Sequence, residues 1–479
     1  MEQHPNYIAG VWRDGDDLIA DRNPSDLDDV VGYYARADAS DVRDAVEAAT
    51  EAREVAAGLT PEQRADILHA AGAEILLRAE ELGSLLSREE GKTLPEGIGE
   101  ARRAGQLFRF FAGEALRSGG ELIPSVRPNV DVEVTREPVG VVGIITPWNF
   151  PLAIPAWKIA PALAFGNAVV FKPAELVSGC AWELTAILDR AGVPAGMFNL
   201  VMGSGATLGA ELIENDAVDA VTFTGSDGVG GQVAAAVTGR LGKVQLEMGG
   251  KNPFVVTDDA DLRSAVECAV QGAYFSTGQR CTASSRLIAT DAIHDAFVDA
   301  LVSRVSELRV GHALEAGTDI GPVVNERQLA TDLEYLEIGS GEGAELAIGG
   351  ERLEGGSHRG HYLTPAVFVD TDNGMRINQE EIFGPIASVI RANDFDHAVS
   401  LANDTRFGLT SGIATTSHRL AREFRRRSAA GMVMVNLPTA GNDYHVPFGG
   451  RKGSSYGPRE QGSYAREFFT NVKTSYVAD

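Results

Sequence analysis

Helical periodicity opens the chain. Apolar residues recur at three- and four-residue steps over 41–57 and 61–90, which predicts two amphipathic helices. In the first, Val42, Ala45, Val46 and Ala49 form the apolar stripe. Between them Thr60 stands at an N-cap position and Pro61 at the first helical position, where its missing N–H costs nothing. The helical pattern resumes over 102–116. From residue 139 the pattern alternates. Strands are predicted over 139–146, 168–172, 199–202, 220–224 and 243–247, with helices over 155–163, 178–191, 206–215 and 228–238 between them. Strands alternating with helices at this pitch predict a parallel sheet covered on both faces. A second series follows, with helices over 261–275 and 292–308 around a strand over 285–289, and further units to Val435. Residues 130–135 stand apart. Val130, Val132 and Val134 alternate with Asp131, Glu133 and Thr135, a period of two. With the tail 471–477 this segment is expected to pair as exposed strands used for oligomerisation.

Length and composition narrow the class. At roughly 150 residues per domain, 479 residues suggest about three folding units. The fractions of 44% hydrophobic and 23% charged residues exclude disordered and collagen-like chains. Charge is the unusual feature: 67 acidic residues against 42 basic ones give −25, and only 7 of the basic residues are lysine. Such a surface argues against nucleic acid and anionic membranes as partners. It matches a halophile's protein, kept soluble in salt that screens repulsion within about 3 Å at 1 M. An acidic protein of a GC-rich genome is the plainer alternative.

Cys180, Cys268 and Cys281 are too few for a disulfide framework and suit a reducing cytoplasm. No signal peptide is visible over 1–21. The uncharged stretch 138–157 holds Pro147, Pro151 and Pro155, so it reads as a buried strand and loop rather than a membrane span. No metal site is expected.

Several short motifs carry candidate chemistry. Cys281 lies in STGQRCTAS, among small and polar residues unlike those around a core cysteine, and a reachable thiolate is a strong nucleophile. Cys180 and Cys268 sit in helical patterns as small buried hydrophobes. Glu247 ends a predicted strand ahead of Gly249 and Gly250, where open α/β sheets bind ligands, and a carboxylate near a thiol can act as a base. In TFTGSDGVGG, Gly225, Gly228 and Gly230 follow a strand and open a helix, as a phosphate-binding turn does, though the spacing is not the standard dinucleotide fingerprint. Asn149 in TPWNFP carries an NH2 able to donate to an oxyanion. Lys172 and Glu175 in FKPAE are placed to hold ribose hydroxyls. Each motif alone also fits an ordinary turn or cap.

Together and in order, PWNFP, FKPAE, FTGS, LEMGGKNP, GQRC, EEIFGP and PFGGRKGS resemble the aldehyde dehydrogenase superfamily over essentially the whole chain. The resemblance implies an α/β fold with a Rossmann-type cofactor domain (1–117 and 139–249), a catalytic domain (250–449) and a small β oligomerisation arm (118–138 and 466–479). It implies that Cys281 attacks the aldehyde, that Glu247 activates the hydrolytic water, and that Asn149 and the Cys281 N–H hold the oxyanion. Lys172 and Glu175 would bind the adenosine ribose. Thr146, Pro147, Trp148, Gly205, Gly225, Ser226 and Val229 would line the cofactor site. Glu381 would hold the nicotinamide ribose, with Phe383 against the ring, and Lys158 with Glu460 would relay protons.

The presence of Glu247 favours water over coenzyme A as acceptor. The run 435–477 resembles the branch of the family acting on 2,5-dioxopentanoate, with succinate semialdehyde or a broad range of aldehydes as alternatives. A substrate bearing a 2-oxo acid needs a cation, and Arg103 and Arg280 are the candidates. Tyr444 and His445 are expected on the substrate-side loop. Glu175 suits a free 2′-hydroxyl, yet the branch is associated with NADP, so the expectation leans to NADP with NAD also accepted. A small-molecule aldehyde and a homodimer or homotetramer complete the expected partners.

Overall fold

Five strands of the first series lie parallel: β1 (Val141–Ile145), β2 (Ala168–Lys172), β3 (Phe198–Leu200), β4 (Ala220–Thr224) and β5 (Lys243–Glu247). Across the sheet they run β5, β4, β1, β2, β3. The chain therefore winds outward from β1 in both directions, and the order reverses between β1 and β4. Short antiparallel strands close the edges, Ser455–Tyr456 on β5, and Asn6–Ile8 with Val11–Arg13 on β3. The computed structural model describes residues 3–15, 17–117, 119–354 and 359–478.

Every residue of β1, β2 and β4 is buried, as a sheet covered on both faces requires. Alternate side chains sort to opposite cores. Val142, Ile144, Val169 and Phe171 join the core built on helices Pro61–Leu77, Leu94–Ala115 and Ala153–Ala164. Val141, Ile145, Ala168 and Val170 join the core beneath helices Ala39–Glu51, Gly205–Glu214 and Asp227–Gly239. The helix Ala153–Ala164 is buried on all sides, Lys158 included.

The second series forms a seven-stranded sheet. Its six parallel strands are β6 (Asn252–Val256), β7 (Ser284–Thr290), β8 (Ala366–Thr371), β9 (Ile386–Ala392), β10 (Thr410–Ala414) and β11 (Met432–Val435). Their order is β8, β9, β7, β6, β10, β11, with Glu345–Ile348 antiparallel on the β8 edge. A third sheet stands apart. Val130–Pro138 pairs antiparallel with Thr470–Ala478 on one side and Glu121–Pro124 on the other. Its surroundings keep Leu122, Val126, Tyr476 and Val477 more than half exposed.

Three helices differ from their sequence pattern. The segment 41–57 divides at Ala52 into Ala39–Glu51 and Arg53–Gly58, and 61–90 divides at Arg78 into Pro61–Leu77 and Ala79–Glu90. The helix expected over 102–116 starts eight residues earlier, at Leu94. Its cap is Thr93, whose N–H and hydroxyl both donate to Glu96 Oε2. Thr60 and Pro61 start their helix as expected, with Gln63 completing the capping box.

Candidate active site

The carboxyl ends of β1, β2, β4 and β5 share one edge of the first sheet. They deliver Thr146, Lys172, Thr224 and Glu247. The Thr146 N–H donates to the Lys172 carbonyl, and the Gly225 N–H to the Glu247 carbonyl. The reversal of strand order between β1 and β4 opens a crevice there, the usual ligand position in such sheets.

Cys281 reaches this crevice from the second sheet on a strained turn. After helix Leu262–Tyr274, Ser276, Thr277 and Gly278 all hold left-handed backbone, at φ 53°, 57° and 68°. For Ser276 and Thr277 this costs on the order of 1–3 kcal/mol each and persists only when their surroundings fix it, whereas Gly278 adopts it freely. Glu96 Oε1 accepts from both the Ser276 N–H (2.8 Å) and its hydroxyl (2.9 Å), and Thr277 Oγ1 donates to the Gly321 carbonyl (3.1 Å). A Cβ on Gly278 would lie 2.2 Å from the Gly384 carbonyl oxygen, so the turn packs against the loop of Glu381 and Phe383 only with glycine there. Asn149 Nδ2 donates to the Gln279 carbonyl at 2.9 Å, and Asn252 Nδ2 to the Cys281 carbonyl at 2.8 Å.

Half-buried Cys281 stands between two cavities of about 250 and 280 Å³ and lines both. The larger is also lined by Pro147, Trp148, Asn149, Gly225, Ser226, Glu381 and Phe383. Trp148 and Phe383 meet edge to face, 5.4 Å between ring centres. Glu381 Oε1 accepts from the Gly250 N–H at 2.8 Å, and burial lifts its carboxyl to about 7. Burial, with the carboxylates of Glu381 and Glu247, pushes the Cys281 thiol up to about 12, while its own backbone N–H favours the thiolate.

Glu247 lies just outside both cavities. It is fully buried, with Ser455 Oγ donating to its Oε2 at 2.5 Å. Burial and the neighbouring Glu460 raise its carboxyl well above the ordinary range, and the Ser455 bond works against that shift. Beneath it, Lys158 Nζ donates to Glu460 and, at 2.7 Å, to Thr222 Oγ1. Thr222 passes its own proton toward Gln245 Oε1 at 3.0 Å.

The smaller cavity holds the candidate substrate residues. Arg103 and Arg280 both line it, and both keep a buried Nε without a partner among the described residues. Arg103 Nη2 donates to Asn442 Oδ1 (3.1 Å) and Gln461 Oε1 (3.2 Å), and Arg280 to the Gln271 carbonyl. Tyr444 and His445 follow Asn442 on the loop at the edge of this cavity. Neither is among the described residues lining the cavity: Tyr444 packs edge-on against Phe110 (6.2 Å), and His445 is exposed beyond it.

Three charged residues on the same wall went unread in the sequence. Lys92 Nζ donates to the Asn149 carbonyl and, at 2.9 Å, to Glu100 Oε2, while Glu100 Oε1 accepts the N–H groups of Leu152 and Ala153. Glu96 is consumed by Thr93 and Ser276. A signal existed. Glu96, Glu100 and Arg103 are spaced by four and three along one helix, hence on one face.

The model of the aldehyde dehydrogenase family matches residues 12–475. The chain belongs to the aldehyde dehydrogenase family. It is 44% identical over 475 residues to the alpha-ketoglutaric semialdehyde dehydrogenase of Bacillus subtilis, covering 98% of this chain and 97% of that one. It is 42% identical over 477 residues to the alpha-ketoglutarate semialdehyde dehydrogenase of Haloferax volcanii, covering 98% of each. A crystal structure of Staphylococcus aureus betaine aldehyde dehydrogenase in complex with NAD+ matches with TM-score 0.97 at 33% identity, over 99% of this chain and 95% of that one.

The rest of the site fits a dinucleotide in this aldehyde dehydrogenase. Thr146 Oγ1 and Thr224 Oγ1 are buried on the cofactor side without partners among the described residues. Lys172, three strand steps or about 14 Å from Glu247, is buried and its ammonium is lowered to about 8. A Cβ on Gly205 would stand 3.6 Å from Lys172 Nζ. Val229, in the first turn of helix Asp227–Gly239, leaves 46% of its surface exposed as an apolar rim. No helix among the described residues is long and apolar enough to cross a membrane.

Proposed function

We propose that this aldehyde dehydrogenase oxidises 2,5-dioxopentanoate to 2-oxoglutarate with NAD or NADP. The observation that carries the reading is the 250 Å³ cavity joining Cys281 to Arg103 and Arg280. Its wall holds three cations (Lys92, Arg103, Arg280) and two carboxylates, Glu96 and Glu100. Both carboxylates spend both oxygens on protein donors, while the two arginines keep donors in reserve. Burial lowers both guanidinium pKa values, a desolvation cost that an incoming carboxylate offsets. The names of the Bacillus and Haloferax relatives support the same substrate.

In this reading the Cys281 thiol releases its proton to solvent water and the thiolate adds to the aldehyde carbon, forming a thiohemiacetal. The oxyanion accepts from Asn149 Nδ2 and the Cys281 N–H. When bound, the nicotinamide cofactor takes up the hydride, which leaves a thioester on Cys281. Glu247 then takes a proton from the water that attacks the thioester, and the acid departs as the Cys281 thiolate is released. Glu460 and Lys158, paired beneath Glu247, relay that proton onward.

Lys172 and Glu175 serve the adenosine ribose, Glu381 the nicotinamide ribose, with Gly205, Ser226 and Val229 along the path. The two large sheets and the exposed arm support the division into 1–117 with 139–249, 250–449, and 118–138 with 466–479. The apolar surface of the arm supports a homodimer or homotetramer. The acidic surface supports a cytoplasm of high salt. Product analysis tests the reading: 2-oxoglutarate should appear mole for mole with reduced nicotinamide in the absence of coenzyme A. Reduced nicotinamide without that acid would sink it.

A further inference from the structure

The loop that carries Asn149 runs from the end of β1 to helix Ala153–Ala164, and its prolines at 147 and 151 have no N–H to bond. The helical ladder begins after Asn149. The Ile154 N–H donates to the Phe150 carbonyl at 3.2 Å. The Ala153 N–H, which would reach back to Asn149, donates to Glu100 Oε1 at 3.1 Å instead. The Asn149 carbonyl takes its hydrogen bond from Lys92 Nζ.

Lys92 is itself fixed. It follows Gly91, the left-handed cap of helix Ala79–Glu90, where a Cβ would stand 2.8 Å from the Pro322 ring. Its N–H donates to Glu90 Oε2 at 3.1 Å, and the Leu94 N–H to the Ala313 carbonyl at 3.0 Å. The ammonium lies 3.7 Å over the centre of the Phe150 ring and 2.9 Å from Glu100 Oε2. Burial works against its charge, but Glu100 and Glu90 outweigh that and hold it above the ordinary lysine range. A buried ion pair adds little stability over apolar side chains of the same volume. This one fixes a direction. Glu100 Oε2 aims the ammonium at the Asn149 carbonyl, while its Oε1 holds the N–H groups of Leu152 and Ala153 on the same loop. The carbonyl and the side-chain amide of Asn149 share one α-carbon, so a shift at the first moves the second, which meets Gln279 beside Cys281.

We propose that Lys92 is a positioning residue for acylation: through the Asn149 carbonyl it sets where the Asn149 amide stands against Cys281, and Glu100 holds it there. The proposal rests on the oxyanion role given to Asn149 above. A misplacement of about 1 Å at such a site can cost about 10²-fold in rate. Rapid mixing of the intact enzyme with NAD+ and either 2,5-dioxopentanoate or propanal reads the burst of reduced nicotinamide, on the wild type, Lys92→Met, Asn149→Ala and the double variant. Lys92→Met should slow the burst at least fivefold with both aldehydes, and less than twofold in the Asn149→Ala background. A loss below fivefold in the first comparison overturns the proposal. A loss of twofold or more without Asn149 overturns it as well, since Lys92 would then act on something besides Asn149. A loss confined to 2,5-dioxopentanoate does so too, because Lys92 would be a cation for the substrate carboxylate. Glu100→Gln keeps a carbonyl for Leu152 and Ala153 and removes the charge that aims Lys92. It should slow the burst at least twofold, again only where Asn149 is present, and it decides the matter if Lys92→Met does not fold. A burst in Asn149→Ala as fast as in the wild type would instead overturn the oxyanion reading, and the proposal with it.

Discussion

Ser455 and Glu247 are joined between neighbouring strands: the serine hydroxyl donates to Glu247 Oε2 at 2.5 Å, from the antiparallel edge strand that pairs Ser455 with Glu247. The bond stabilises the carboxylate in a place where burial and Glu460 push toward the protonated acid. Glu247 acts as a base only when deprotonated, so hydrolysis is lost as pH falls through its raised pKa. Removing the Ser455 hydroxyl raises that pKa further. Ser455→Ala should move the acidic limb of the kcat profile to higher pH, with the alkaline side unchanged. A limb that stays in place contradicts the role given to this bond.

Glu247→Gln separates the two halves of the reaction. Acylation should survive as a burst of about one equivalent of reduced nicotinamide per Cys281. Steady turnover should fall roughly 10²–10⁴-fold, the usual range for a general base. Loss of the burst together with turnover would place Glu247 in acylation instead.

Asn149 holds the Cys281 turn through Gln279, and in the proposed mechanism its second amide hydrogen serves the oxyanion. Asn149→Ala should lower kcat/KM by about 10²–10³-fold, typical of a lost oxyanion donor. The burst rate should fall with it. An unchanged burst rate would remove Asn149 from the oxyanion site.

Glu90 offers a stability test. It is fully buried behind the substrate wall, and burial lifts it to about 8 despite Lys92. A carboxyl with a raised folded-state pKa favours folding below its unfolded pKa and loses that benefit as pH rises toward 8. Glu90→Gln keeps the shape without the charge. Its melting temperature relative to wild type should therefore improve between pH 5 and pH 9. An equal difference at both values would mean that Glu90 does not hold a proton in the fold.

Deleting residues after Thr470 removes eight of the nine residue pairs that join Thr470–Ala478 to Val130–Pro138. Light scattering should then report smaller assemblies. An unchanged mass would show that the arm does not join subunits.

Much of this was legible in the sequence. The strands Ala168–Lys172, Ala220–Thr224 and Lys243–Glu247 have the bounds expected from the sequence, the first because a buried parallel strand reads as an apolar run, here ending at Lys172. The residues around Cys281 were legible through motif order rather than through periodicity. What escaped has physical reasons. The early start at Leu94 was encoded in the Thr93–Glu96 cap, but Pro95 and Gly97 masked the helical pattern. Lys92 finds its partners Glu100 and Asn149 only through tertiary packing, which no local pattern carries.

The central claim is that Arg103 and Arg280 shape the Cys281 cavity for a 2-oxo acid. The most direct measurement is kcat/KM in molar potassium chloride for 2,5-dioxopentanoate, succinate semialdehyde and a neutral short aldehyde, with each cofactor. The account predicts that 2,5-dioxopentanoate leads the neutral aldehyde by tenfold or more, about 1.4 kcal/mol of transition-state preference, and that Arg103→Ala or Arg280→Ala erases most of that lead. A neutral aldehyde oxidised as well as 2,5-dioxopentanoate by the wild type would contradict it.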